Sequence, residues 1–221
     1  MEFTSCPWDS LTFYPAHFCE TNLCSWVVQP ANTWSNISYL IAAYFIFKNK
    51  HWKIERRWFA FIVFCLFIGS TLFHMTSTLI GRDMDVGAML LLSSYSLSLT
   101  LSRSYKWSRD IAVLLGFGIF FVSLPSLHAE VGGIAFLIQF LITAILEFMY
   151  SKREPPPTHI KRSLVVSLCL FLFALTINIM DMNKVYCFPE NNILTLHAIW
   201  HLICGYCIYL LVRYYCYQEK T

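Results

Sequence analysis

The sequence predicts an all-α protein, a seven-transmembrane helix bundle with its N-terminus outside and its C-terminus cytoplasmic. Three observations carry that prediction. Of 221 residues, 57% are hydrophobic and only 13% charged, where a soluble domain carries roughly 25% charged residues. Seven apolar runs succeed one another, most of them near the ~20 residues a helix needs to cross about 30 Å of hydrocarbon. The lysines and arginines then gather on one side of those runs.

Residues 1–31 precede the first run. They are rich in Cys and Trp, contain Pro7, Pro15 and Pro30, and are too polar and too broken to span. They read as an extracytoplasmic N-terminal segment. Positions 32–217 form the transmembrane domain, and 218–221 a cytoplasmic tail. The spans are predicted at 33–47, 58–80, 84–101, 111–127, 131–150, 164–182 and 193–215. No basic start followed by an apolar core opens the chain, so the first span is expected to direct insertion itself.

Orientation follows from the basic residues. Lys48, Lys50, Lys53, Arg56 and Arg57 follow span one, and Arg103, Lys106 and Arg109 follow span three. Lys152, Arg153, Lys161 and Arg162 follow span five, and Arg213 and Lys220 end the chain. Only Arg82 and Lys184 fall on the other side, which completes the sixteen Lys and Arg. The crowded side is expected to be cytoplasmic. The net charge of +3 sits in short loops beside spans, so it does not argue for nucleic acid. Pro155-Pro156-Pro157 reads as a stiff cytoplasmic spacer. Asn36-Ile37-Ser38 matches a glycosylation sequon by chance.

Ionisable groups are costly within a membrane span, so those present are candidates for function. Of seven histidines, His17, His51, His128 and His159 lie in connecting segments, and His74, His197 and His201 lie in spans. Ser70 and His74 are four apart on span two and share a helical face; so do His197 and His201 on span seven. By the predicted topology His74 lies about 9 Å below the outer end of its span, and His197 and His201 about 6 and 12 Å below theirs. Asp85 begins span three on the same side. The five groups therefore meet at one depth.

Three neutral imidazoles plus a water are a common ligand set of catalytic zinc, and zinc lowers the pKa of its water to near 7. Asp85 is placed to accept the water's proton and pass it to a leaving group. Ser70 is placed to orient the water or stabilise an oxyanion. The expected partner is a membrane lipid; no protein partner is inferred. The active site faces the periplasmic, extracellular or lumenal side.

The spacing Ser-x3-His, Asp eleven residues after that His, and His-x3-His in the last span resembles the alkaline ceramidases. Their superfamily also includes adiponectin-receptor-like proteins and GPI-remodelling lipases. The text around Cys19-Glu20-Thr21-Asn22, Asn32-Thr33-Trp34-Ser35-Asn36, Phe73-His74-Met75-Thr76 and Trp200-His201-Leu202 resembles the ceramidase branch as well. The resemblance implies a seven-helix hydrolase with zinc on His74, His197 and His201. It also implies that Ser70 and Asp85 assist hydrolysis of a ceramide amide, giving a sphingoid base and a fatty acid. An ester of a phospholipid or GPI anchor is the alternative substrate, since acyl specificity lies in cavity shape. A non-enzymatic receptor or scaffold with structural zinc is the other alternative, in which Asp85 would be a fourth ligand.

The same resemblance implies a calcium site in the N-terminal segment. Glu20 and Asn22 match its ligands, and the Phe18 carbonyl is available. His17 and Gln29 stand where carboxylates are expected, which leaves a poor donor set for a cation that prefers anionic oxygens. Of nine cysteines, Cys65, Cys169, Cys204, Cys207 and Cys216 lie in spans or at the inner edge and read as reduced packing residues. Cys6, Cys19, Cys24 and Cys187 lie outside, where disulfides form. The family resemblance pairs Cys19 with Cys187. Cys6–Cys24 would follow, although spacing alone leaves connectivity open.

Overall fold

The structure is a computed structural model that describes residues 5–15, 17–128 and 131–217. The tail predicted at 218–221, with Lys220, lies outside the described residues. Helices are α1 (Pro30–Ser35), α2 (Ile37–Lys48), α3 (Arg56–Thr76), α4 (Leu79–Tyr105), α5 (Arg109–Ser123), α6 (Pro125–His128), α7 (Gly132–Arg153), α8 (Thr158–Met182) and α9 (Leu196–Cys216). No strand occurs among the described residues, only an isolated bridge between Phe13 and Thr78. The protein is all-α, as the sequence predicts.

Six stretches are long and apolar enough to cross a membrane: α3, α4, Arg109–Leu127, α7, α8 and α9. The first predicted span, 33–47, is the exception. It is split at Asn36 into α1 and the 12-residue α2. Asn36 is fully buried and its amide donates to the Asn32 carbonyl at 2.9 Å, so the sequon it begins serves packing. Large apolar side chains such as Leu114, Val122, Leu141, Phe148 and Phe173 stand exposed on the long helices. Exposed apolar side chains of this kind are compatible with a multi-pass membrane protein.

Span two was predicted to run to residue 80, but α3 stops at Thr76. Ser77 takes a left-handed conformation, φ 48°, and Thr78 Oγ1 accepts from the Gly81 N–H at the head of α4. The apolar Leu79-Ile80 hides this turn from hydropathy. Arg82, predicted to lie outside the spans, is buried in α4, paired with Asp83 and stacked 4.8 Å over the Tyr14 ring. Asp85 is therefore not at the start of its helix but is its seventh residue.

The chain forms two compact units, Met1–Asp85 with Arg162–Thr221, and Val86–Lys161. In the first, α1 and α2 pack against α3 and α9. Two glycines allow close approaches. A Cβ on Gly69 would lie 2.7 Å from the Met84 backbone and 2.9 Å from the Asp85 nitrogen, so α3 crosses the start of α4 there. A Cβ on Gly205 would lie 2.7 Å from that of Ser38, which brings α9 onto α2. The N-terminal segment is stitched to the end of α3 through Val28 N–H to Met75 O and Gln29 N–H to His74 O, both 3.0 Å. Disulfides Cys6–Cys24 and Cys19–Cys187 hold it further, and the five remaining cysteines are not in disulfides.

In the second unit, polar side chains join the helices. Ser93 and Ser94 donate to Gln139 Oε1, whose amide donates to Ser123. Thr100 donates to Glu147 at 2.7 Å, with Arg103 3.5 Å from the same carboxylate. Buried polar contacts of this sort associate helices where lipid offers no hydrophobic drive.

Candidate metal centre

His74, His197 and His201 come together in the first unit. Their ligand atoms lie within 4.8 Å of one another, and among the described residues this is the group of His, Cys, Asp or Glu that can hold a metal ion. The side chains are 1%, 4% and 2% exposed respectively. Measured from the helix ends, His74 is about 3 Å from the end of α3, and His197 and His201 are about 1.5 and 7.5 Å into α9. They lie nearer the ends than the sequence estimate because Ser77 ends α3 early and α9 begins at Leu196.

Each imidazole has its Nδ1 engaged. His74 Nδ1 donates to Gln29 Oε1 at 2.7 Å and His197 Nδ1 to Asn178 Oδ1 at 2.8 Å. These amide oxygens only accept, which fixes the Nδ1–H tautomer. His201 Nδ1 lies 2.9 Å from Ser35 Oγ, whose own proton goes to the Asn32 carbonyl. All three Nε2 lone pairs are thus left to face one another. His74 Nε2 and His197 Nε2 are 3.3 Å apart with no proton between them. Two nitrogens bound tetrahedrally at about 2.0–2.1 Å to one zinc would sit about 3.3–3.4 Å apart. The donor set and its spacing fit such an ion.

Local sequence explains the aim of each ring. Thr195 Oγ1 accepts from the Ala198 N–H and starts α9, while its own proton goes to Asn32 Oδ1 at 2.6 Å. Asp181, fully buried in α8, accepts from the His197 N–H at 3.1 Å and the Cys19 N–H at 2.9 Å. One carboxylate thereby ties the Cys19–Cys187 bridge to the first turn of the histidine helix. The Phe18 ring lies 3.9 Å from the His197 ring and 5.1 Å from that of His74. Tyr39 meets His201 edge-on at 5.8 Å.

Ser70, one turn before His74, is 2% exposed and lies beside the Asp85 side chain. Asp85 is partly open. It stands outside the three-histidine group.

The residues read as calcium ligands have other partners. Both Glu20 oxygens cap α1, accepting from Ala31 N–H at 2.7 Å and Asn32 N–H at 2.9 Å. Burial pushes the Glu20 carboxyl above its usual range, against the pull of those two N–H groups. Asn22 Oδ1 accepts from Gln29 Nε2 at 2.7 Å.

Sequence reasoning missed Asn178, Asp181, Ser35 and Tyr39, and it saw Gln29 only as a departure from a calcium site. Asn178 and Asp181 did carry a signal, being two polar residues three apart in an apolar span.

Six helices long and apolar enough to cross a membrane are compatible with a multi-pass membrane protein, and the buried three-histidine cluster is a site able to hold a metal. The chain matches the Ceramidase family model over residues 15–221 and belongs to that family. Membership supports a ceramidase-like hydrolase acting on a lipid amide. None of the curated proteins compared with it matches the chain.

Proposed function

We propose that the protein is a zinc-dependent ceramidase, hydrolysing ceramide to a sphingoid base and a fatty acid. The observation that carries the reading is the convergence of three Nε2 atoms whose Nδ1 atoms are all engaged. When bound, zinc supplies a Lewis acid and lowers the pKa of a water. Asp85 accepts a proton from the attacking water and later delivers it to the leaving nitrogen, as the C–N bond breaks and a C–O bond forms. The Ser70 hydroxyl holds the Asp85 carboxylate in place for both transfers. Glu20 and Asn22 bind the N-terminal segment to α1 rather than taking part in the reaction. The site is read as facing the periplasm, exterior or lumen, because the basic loops lie at the other ends of the helices.

The test is turnover by the purified chain in lipid nanodiscs, with ceramide, a phospholipid ester and a GPI-type ester as separate substrates. Elemental analysis should find about one zinc per chain. Ceramide should give equal amounts of sphingoid base and fatty acid, and His197→Ala should abolish both zinc and products. Release from the esters alone would replace ceramide as the substrate. Zinc bound without any turnover would favour a receptor or scaffold.

A further inference from the structure

We propose that Gln29 is a positioning residue, an amide strap that aims His74 at the metal and needs no second cation to do so. The inference rests on the zinc reading above. Gln29 is 1% exposed and immediately precedes α1. Its backbone N–H donates to the His74 carbonyl at 3.0 Å, which fixes it beside the end of α3. Its side chain then works in two directions. Oε1 accepts from His74 Nδ1 at 2.7 Å and from Asn32 Nδ2 at 3.2 Å. Nε2 donates to Asn22 Oδ1 at 2.7 Å. An amide suits this place because it has an accepting end and a donating end. A carboxylate there would face the Asn22 oxygen with another oxygen, and a cation or a turned Asn22 amide would be needed between them.

The donors nearby do not fit calcium. Calcium takes six to eight oxygens, with carboxylates prominent among them. Among the residues that the resemblance offers as calcium ligands the one carboxylate, Glu20, already accepts two backbone N–H groups. The oxygens of Asn22 and Gln29 are also engaged, and His17 is an exposed imidazole. The amide relay Asn22–Gln29–His74 therefore does the work of a bridging ion. It makes the disulfide-held N-terminal segment part of the metal centre.

The experiment measures zinc affinity by chelator competition, with and without millimolar calcium, on the full chain and on Gln29→Met and Gln29→Glu. Methionine keeps the volume and removes every side-chain hydrogen bond. Partners that orient a metal-bound histidine are typically worth 10–100-fold in affinity. Gln29→Met should lose that much, with or without calcium. Gln29→Glu, which still accepts from His74, should recover to within a few-fold of the parent. The parent's affinity and melting temperature should not respond to calcium. Unchanged affinity in Gln29→Met, even with a lowered melting temperature, would overturn the positioning role. A parent whose zinc affinity rises with calcium would overturn the cation-free relay. A parent that binds no zinc at all would instead sink the metal-centre reading on which the inference rests.

Discussion

Both units of the chain bury polar side chains among apolar helices, but with opposite results. In the second unit the groups satisfy one another: Ser93, Ser94 and Ser123 are spent on Gln139, and Thr100 and Arg103 on Glu147. In the first unit the hydrogen bonds run outward from the three imidazoles, to Gln29, Asn178 and Ser35. What is left in the middle is a set of unspent lone pairs. Buried polarity alone does not mark a site, since it also glues helices together. Converging acceptors with no proton to share do mark one, because leaving them unpaired is costly unless something fills the gap.

The sharpest way to test that contrast is at the chemistry itself. Asp85→Asn keeps the size of the side chain and its contact with Ser70 but cannot take a proton. Turnover should fall by 10²–10⁴-fold, about 3–5 kcal/mol of barrier, with zinc content unchanged. Ser70→Ala should cost less, about tenfold, the worth of one hydrogen bond. Parallel elemental analysis and initial rates give the answer. An Asp85→Asn protein at full rate would end the general-base role, and one that loses zinc would make Asp85 a ligand.

A smaller effect tests whether the outward bonds matter to the metal. Asn178→Leu removes the acceptor for His197 Nδ1 and frees that ring to turn. Zinc affinity should fall by about 10–100-fold, read by chelator competition, while helix content stays the same. Unaltered affinity would mean that packing against Phe18 is enough to hold the ring.

Much of this was legible in the sequence because a membrane simplifies the text. A twenty-residue apolar run announces a helix, and an ionisable residue inside one stands out. That is why His74, His197, His201 and Asp85 could be named before any geometry, and Ser70 followed from its place one turn before His74. Two features were not legible for the same reason. Hydropathy runs straight across Ser77, so α3 and α4 were given the wrong boundary, and it also runs across Asn36, so α1 and α2 were read as one span. The acceptors that aim the rings were hidden differently. Ser35 and Gln29 sit beside the N-terminal segment, where polar residues are ordinary. Nothing local says that their partners are 166 and 45 positions away.

The smallest expected effect lies in the second unit, and it tests the contrast from the other side. Gln139→Leu removes the acceptor of Ser93 and Ser94 and the donor to Ser123. Interhelical hydrogen bonds within membranes are worth about 0.6 kcal/mol on average. Ser93 already has the Leu90 carbonyl within 3.0 Å, so it loses little. Leucine fills much of the space the glutamine leaves. The net loss should be about 1 kcal/mol, a small fall in melting temperature. Zinc content and Kd should not move, because none of these groups touches an imidazole. If Gln139→Leu lowered zinc affinity as much as Asn178→Leu does, the polar network of the second unit would be part of the site, and the distinction between glue and ligand cage would fail.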